Sequence, residues 1–437
     1  MCSSDLGHPW ARTLLIELTI SAAAVRGTRA SRVITRRWRK TGDSVIVYSM
    51  ADPQNTGQSS YGSWPWRTGN HFHLLDDNEQ FFGRMLQSIE SAAAYVLLEM
   101  YLVESGIIAG RFVDALGRAA RRGVRVCVIF DGFGSMGLAA VYRRNLTEAG
   151  VELRTFNPIS LRARLQNFLR DHRKLLLVDG TTAFVGGAGL TDEFAIGGRP
   201  GQPWRDLMVE IAGPVVADWQ RAFDRTWRRS GAELGLSPPP LCPDLADGAD
   251  GRVALSEARA RSMLASGVVR RIEMARERAW IMSAYFVPSR RFRTELRRTA
   301  RRGVDVRLLV PGPKTDHPWV RHAARRFYGK MLRSGVRIFE YQPRMLHAKM
   351  IISDDWVSIG SSNLDRWSFK WNLEANQEVQ NAAFAAAAAA VFEGDCAQSE
   401  VLSRRSWPQR AWIGRLQERI AGVLERLLDR WRRPKIP

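Results

Sequence analysis

The chain repeats itself. Ala120-Arg-Arg-Gly-Val124 returns as Ala300-Arg-Arg-Gly-Val304, and each copy closes a helical pattern and runs into a short apolar stretch, Val124 to Phe130 and Val304 to Val310. Leu97 to Val103 pairs in the same order with Ile281 to Val287, and Gly150-Val-Glu-Leu-Arg-Thr-Phe-Asn-Pro158 with Gly335-Val-Arg-Ile-Phe-Glu-Tyr-Gln-Pro343. A repeat this long is not a solenoid unit. It predicts an α/β fold of two duplicated domains, each a mostly parallel or mixed β-sheet flanked by helices. The runs rich in Val, Ile and Leu and bounded by glycine have the pattern of buried strands.

Punctuation sets the boundaries. Leu236 to Asp250 holds Pro238 to Pro240 and Pro243 among Asp and Gly, so a surface linker is expected over 236–252, between domains at 66–235 and 253–400. Residues 1–65 read as an extension and linker outside the core: Thr13 to Val25 is apolar, 26–47 carry an excess of Arg and Lys, and Asp52 to Gly69 is rich in Gly, Ser, Pro and Trp. Residues 401–437 end in Trp412, Ile413, Leu416, Ile420, Leu427 and Trp431 at helical spacing with arginines between them, the pattern of a basic amphipathic helix on an anionic bilayer or docked on the domain. No apolar run reaches the ~18 residues needed to span a bilayer, so membrane contact is expected to be peripheral.

Of 437 residues, 65 are Lys or Arg and 44 are Asp or Glu, a net charge of +21. Such a surface favours an anionic partner, and nucleic acid and anionic lipid both fit. Cys2, Cys127, Cys242 and Cys396 are far apart with no C-x-x-C pair, so neither a zinc site nor a disulfide framework is expected.

The chemistry-bearing residues are duplicated too. His172-Arg-Lys174-Leu-Leu-Leu-Val-Asp179 and His347-Ala-Lys349-Met-Ile-Ile-Ser-Asp354 share one spacing, followed by Phe184-Val-Gly-Gly187 and Ser358-Ile-Gly-Ser361. A period of two puts each His and its Lys on the same face of a strand. A single His-x-Lys reads as a solvated strand edge; two at equivalent points of a duplication point to one shared site.

These paired motifs resemble those of the phospholipase D superfamily, over roughly residues 66 to 400. Trp204-Arg-Asp206 ahead of Gly213-Pro214, Gly360-Ser-Ser-Asn363-Leu-Asp365 and Asn372-Leu-Glu-Ala-Asn376 look like the bacterial cardiolipin synthases within it. The resemblance implies an active site at the pseudo-two-fold interface of two phospholipase D-like domains. It makes His172 the nucleophile and His347 the general acid and base, with Lys174 and Lys349 on the phosphoryl oxygens. Ser361 and Asn363 would bind the phosphate, and Asp206 and Glu374 would orient the histidines. Asp179 and Asp354 belong to the catalytic motifs, yet each lies an odd number of positions from its lysine, so a regular strand turns it away and a structural role is expected. The first half departs from the synthase pattern at Gly186-Gly-Ala-Gly189, where Gly-Gly-x-Asn is usual.

The implied reaction needs no cofactor or metal. A phosphatidyl group passes from phosphatidylglycerol or a related phospholipid to a lipid alcohol through a phosphohistidine. The implied setting is an anionic phospholipid substrate on the membrane surface, with the enzyme peripheral on the cytoplasmic side of the inner membrane. Neither nucleic acid nor an obligate protein partner is expected. The rival readings are a phospholipase D that makes phosphatidic acid, a superfamily nuclease, and a binding protein that has kept only the fold. His71 and His73 read as surface strand residues, and His317, in Asp316-His317-Pro318, lies in a loop near the expected site.

Overall fold

Each copy of the repeat folds into the same run of strands. The computed structural model describes residues 64–160, 164–195, 201–237, 243–257, 263–405 and 407. The N-terminal extension up to residue 63, Pro238 to Pro240 of the linker and the amphipathic segment from residue 408 lie outside the described residues.

The first half contains β1 (Arg67–Leu75), β2 (Tyr95–Met100), β3 (Arg125–Asp131), β4 (Glu152–Phe156), β5 (Arg170–Asp171), β6 (Lys174–Val178), β7 (Thr182–Gly186) and β8 (Met208–Ala212). The second contains β9 (Ala249–Glu257), β10 (Arg278–Met282), β11 (Phe286–Val287), β12 (Asp305–Pro311), β13 (Arg337–Tyr341), β14 (Met350–Ser353), β15 (Trp356–Gly360), β16 (Leu364–Asp365), β17 (Asn372–Gln380) and β18 (Ser399–Leu402). The spatial order β1-β8-β7-β6-β2-β3-β4 is answered by β9-β17-β15-β14-β10-β12-β13, with β18 added at the edge. The sheet is mixed. In each half the outer strands β2, β3, β4 and β10, β12, β13 run parallel and the remaining long strands pair antiparallel, while the short β5 and β11 run parallel to β17 and β16. β1 pairs antiparallel with β9, so one sheet passes through both halves.

The repeated Ala-Arg-Arg-Gly-Val has a backbone explanation. The helices Ile107–Arg121 and Arg290–Arg301 stop just before Gly123 and Gly303, whose φ angles of 91° and 92° lie in the left-handed region where a side chain is strained. The chain then turns into β3 or β12. Apolar residues from both halves merge into one core, with Ile129, Leu175 and Val209 beside Met350, Ile352 and Leu373. Burial of each such side chain contributes roughly 1.5–3 kcal/mol. Trp219, fully buried on the helix Val215–Arg229, donates from its indole to Gln377 Oε1 of β17 at 2.8 Å and fastens one half to the other. The alanine-rich stretch forms the helix Ala382–Ala397, started by Asn381, whose side chain accepts from the Phe384 amide, and it buries Phe384, Ala388 and Phe392.

Candidate active site

The two halves exchange backbone hydrogen bonds where the motifs begin. β5 lies parallel to the start of β17, and the His172 amide donates to Leu373 O at 2.9 Å. Across the pseudo-dyad, the His347 and Ala348 amides donate to Arg205 O at 2.8 and 3.0 Å. Leu373 precedes Glu374 and Arg205 precedes Asp206, so each histidine is pinned beside the carboxylate of the opposite half. The side chains follow: His172 Nδ1 lies 3.0 Å from Glu374 Oε2, and His347 Nδ1 lies 2.6 Å from Asp206 Oδ2. A carboxylate on Nδ1 fixes the tautomer and leaves Nε2 for chemistry. This cross-pinning also shapes the strands. β6 begins only at Lys174 and β14 at Met350, so both histidines sit in the link ahead of the regular strand.

The lysines complete a buried cluster. Lys174 Nζ donates to His172 O at 2.7 Å and lies 5.0 Å from the Tyr101 ring centre, while Tyr101 packs on His172 with centroids 4.6 Å apart. Lys349 Nζ lies 2.8 and 3.1 Å from the two ring nitrogens of His347 and also donates to His347 O. Burial lowers Lys174 to about 7, with Glu374 opposing and Lys349 adding, and lowers Lys349 to about 8 against the pull of Asp206 and Glu374. Burial and then Lys349 bring His347 to about 4 despite Asp206, and burial lowers His172 despite Glu374. Asp206 goes the other way: burial works to raise it, but Lys349 and His347 outweigh burial and hold it low. Burial and mutual repulsion disfavour both ammonium groups even with Asp206 and Glu374 acting on them, so the pair is suited to bind a further anion such as a phosphodiester.

Around this cluster the halves differ. Ser361 Oγ donates to Glu374 Oε2 at 2.6 Å, and Asn372 Nδ2 donates to Glu374 Oε1 at 3.2 Å. The Ser361 proton thus goes to the carboxylate rather than into the phosphate space. Asn363 is buried, with its Oδ1 lacking a hydrogen-bond partner. At the position equivalent to Ser361, a Cβ on Gly187 would stand 2.4 Å from Asp206 Oδ1. At the position equivalent to Asn363, a Cβ on Gly189 would stand 2.8 Å from both Leu102 Cβ and Leu102 O. The missing asparagine therefore reflects a closer approach of the chain, which leaves no space for its side chain.

Asp179 and Asp354, counted with the catalytic set for their place in the motifs, sit at the far ends of β6 and β14. Five residues of strand, about 16 Å, separate each from its lysine. Their φ angles are 53° and 51°. Asp179 accepts from the Ala93, Ala94 and Tyr95 amides at 2.8 Å each, and Asp354 from the Arg276, Glu277 and Arg278 amides at 3.0, 2.9 and 3.1 Å. They tie each motif hairpin to the turn that opens β2 or β10, the structural use their parity predicts.

Several site residues escape the motif reading. Phe194 and Trp204 pack on His347 at centroid distances of 5.3 and 5.4 Å, and Tyr285 lies 6.4 Å away. Tyr101 and Tyr285 carried a signal, because the repeated segments Leu97 to Val103 and Ile281 to Val287 both place tyrosine fifth. Trp204 stood in the family-like segment Trp204-Arg-Asp206 without a role assigned to it, and Phe194 carried no signal. Beneath His172, Asp171 and Arg173 point away from the site into a buried cluster with Glu99 and Thr226, where Leu346 and Ala348 flank His347 with apolar atoms. Burial pushes the Glu99 and Asp171 carboxyls up. His71 bonds Ala246 O at 2.9 Å and His73 lies 3.9 Å from Glu210, both on β1.

A family model described as cardiolipin synthase, phospholipase D-like domain, matches residues 85–227 and 268–396, once in each half. The chain is 35% identical over 377 residues to cardiolipin synthase A of Pseudomonas putida (strain W619), covering 84% of this chain and 77% of that protein. It is 35% identical over 340 residues to cardiolipin synthase A of Pseudomonas aeruginosa (strain LESB58), covering 77% and 69%. Among solved structures, phosphatidylserine synthase of Haemophilus influenzae Rd KW20 superimposes with a TM-score of 0.64 at 13% identity, over 84% of this chain and 95% of that one, a likeness of fold. With both halves of the duplication matched and more than two thirds of these relatives covered, the chain belongs to the cardiolipin synthase family of phospholipase D-like proteins.

Proposed function

We propose that this enzyme makes cardiolipin by moving a phosphatidyl group from one phosphatidylglycerol to the hydroxyl of a second lipid alcohol through a phosphohistidine. One observation supports this above the others: two imidazoles, each held at Nδ1 by the opposite half's carboxylate, share a buried site with two lysines. His172 Nε2 attacks phosphorus, a P–N bond forms, and the P–O bond to glycerol breaks. The bound phosphate anion offsets the lysine charges that disfavour the imidazolium, His347 takes up a proton at Nε2, and the glycerol oxygen leaves with it, because an alkoxide is too basic to depart alone near neutral pH. Glu374 stabilises the positive charge that grows on His172. Lys174 and Lys349 take the non-bridging oxygens, and the anion restores their protonated forms. The order of the two histidines follows the family resemblance, since the geometry is nearly symmetric.

The setting is the surface of a phospholipid membrane, on the cytoplasmic side of the inner membrane. Among the described residues no helix is long and apolar enough to cross a membrane. Phe194 and Trp204 against His347 keep water from the base that a lipid alcohol must reach.

The test is to incubate the protein with phosphatidylglycerol vesicles without added metal, beside His172→Ala and His347→Ala variants, and to resolve the lipids by mass spectrometry. Histidine-dependent cardiolipin with glycerol supports the synthase. Phosphatidic acid alone makes it a phospholipase, and histidine-dependent cleavage of DNA without lipid products makes it a nuclease.

A further inference from the structure

The edge of the sheet that carries the active site also carries a surface the phosphohistidine chemistry does not use. Met100, the last residue of β2, stands opposite Lys174, so the catalytic motif of the first half lies at the carboxyl ends of the parallel strands. There the chain leaves β3 through Gly132-Phe-Gly-Ser-Met-Gly-Leu-Ala-Ala-Val141, a stretch without a charge. A connecting loop is ordinarily polar, yet Met136, Gly137, Ala139, Ala140 and Val141 are all exposed. Ile107, the first residue of the helix Ile107–Arg121, is drawn to the same place, because the Ser105 amide donates to Gly137 O at 3.2 Å and the Ala139 amide to Ser105 Oγ at 2.7 Å. Ile107, Met136 and Val141 are 54, 61 and 44% exposed. The other large apolar side chains exposed among the described residues, Met274 and Val401, sit apart on a helix end and on the edge strand β18.

The same loop backs the wall of the site. Gly134 packs so closely on Tyr101 that a Cβ there would stand 2.3 Å from Tyr101 O, and Tyr101 packs on His172. Met136 is two residues farther on. Behind the apolar tip, the half-buried Arg143 donates to Ser135 O and Oγ at 2.7 and 2.8 Å and pairs with no carboxylate among the described residues. The pseudo-dyad answers apolar with basic: the equivalent helix of the second half begins Arg290-Arg291, both exposed, and the loop after β12 carries the exposed Lys314. Apolar side chains flanked by guanidinium groups match a bilayer with anionic headgroups, since the former enter the acyl boundary and the latter stay at the phosphates. Continuity with the wall of a site that takes a lipid favours a bilayer over a second copy of the chain.

We propose that the patch of Ile107, Met136 and Val141 is the face that enters the surface of an anionic bilayer, with Arg143, Arg290 and Arg291 on the headgroup phosphates, so that the site opens onto lipid. This rests on the phosphatidyl-transfer reading above and adds which edge of the molecule meets the membrane. A phospholipid then reaches the histidines headgroup first while its acyl chains remain among apolar groups, which avoids drawing them through water. Docking of this kind acts on substrate held in a bilayer and leaves the chemistry on a dissolved substrate unchanged.

The experiment follows glycerol release from two substrates: phosphatidylglycerol vesicles, and dihexanoyl-phosphatidylglycerol kept below its micelle concentration. It compares wild type with a triple variant, Ile107→Ser with Met136→Ser and Val141→Ser, and with a double variant, Arg290→Ser with Arg291→Ser. Each variant is expected to lose about tenfold or more on vesicles and to stay within about threefold of wild type on the dissolved lipid, which also reports that the fold is intact. Wild-type turnover on vesicles in either variant overturns the docking face, and loss of a concentration-dependent dimer in that triple variant would assign the patch to a second copy. A parallel fall on both substrates overturns it too, because the residues would then serve the site itself. Wild-type protein that releases no glycerol from either substrate overturns the phosphatidyl-transfer reading, and the docking face with it.

Discussion

The two ends of the catalytic cluster reach similar histidine geometry by different means. Glu374 has the longer arm and is held by Ser361 and Asn372; Asp206 has the shorter arm, accepts from the Leu207 amide at 2.8 Å and presses against the bare backbone of Gly187. A serine suits a glutamate whose carboxyl lies farther out, and a glycine suits an aspartate whose carboxyl fills the space a Cβ would need. Carboxylate length and the residue facing it therefore form one matched set in each half. A duplicated site can drift in sequence while its function keeps the distance between imidazole and carboxylate.

The sharpest way to break the comparison is to remove the imidazoles, which the crossed geometry makes look interchangeable. His172→Ala is expected to abolish the covalent phosphoenzyme and to lower turnover by ~10⁴-fold or more. His347→Ala is expected to cost about 10²–10⁴-fold while still allowing slow phosphoenzyme formation. Trapping with labelled phosphatidylglycerol and detection of phosphohistidine distinguishes them, and a phosphoenzyme in His172→Ala would reverse the order. Next come the carboxylates: Asp206→Asn and Glu374→Gln are each expected to lower turnover by ~10–100-fold with little change in KM. A loss confined to one of them would show that only one histidine needs its orienting partner.

The matched sets can be exchanged. Gly187→Ser alone drives a side chain into the Asp206 carboxylate and is expected to cost about 1–3 kcal/mol in urea unfolding. Adding Asp206→Glu moves the carboxyl outward and gives the new hydroxyl an acceptor, as in the second half, so the double variant is expected to recover stability and activity relative to Gly187→Ser. A double variant that is merely the sum of its parts would break the pairing of carboxylate length with its neighbour. Gly189→Asn, which restores the usual family pattern, is expected to be destabilising by a similar amount, because Leu102 occupies the space its side chain needs. Higher activity at unchanged stability would show that space is not what keeps glycine there.

These tests also mark what the sequence could disclose. The duplication, the alternation of strand and helix within each repeat and the two His-x-Lys motifs were legible because they rest on local pattern and on comparing one half with the other. The resemblance gave Asp206 and Glu374 as the residues that orient the histidines but not their crossing to the opposite halves; that follows from the pairing of β5 with β17 and of Arg205 with Leu346, which joins residues more than 140 positions apart. The asymmetries were hidden for a related reason. Gly187 and Gly189 looked like losses of a donor, and only the closeness of Asp206 and Leu102 shows them to be steric fits. The charged cluster of Asp171, Arg173 and Glu99 under one motif gave no signal, since the neighbours of a histidine on a buried strand are ordinarily apolar, as Leu346 and Ala348 are.

The smallest expected effect separates the halves by proton linkage. His347 has an ordinary value of 6.5 and falls to about 4 in the folded protein, while Lys174 has an ordinary value of 10.5 and falls to about 7. In both cases folding disfavours the protonated form, so the unfolded chain binds the proton first as pH falls. Stability is therefore expected to decline from pH 10.5 toward 7 through Lys174, and again from 6.5 toward 4 through His347, with each proton contributing at most about 1.4 kcal/mol per pH unit. Urea midpoints measured across both windows should show His347→Asn reducing the acid slope, with His172 keeping part of it, and Lys174→Met reducing the alkaline slope, with Lys349, which falls from 10.5 to about 8, keeping part of it. Tungstate, an oxyanion that can stand in for the phosphoryl group, should flatten both in wild type by favouring the charged forms. If either variant left its own slope untouched, burial of that group would not be what links folding to proton binding in its window.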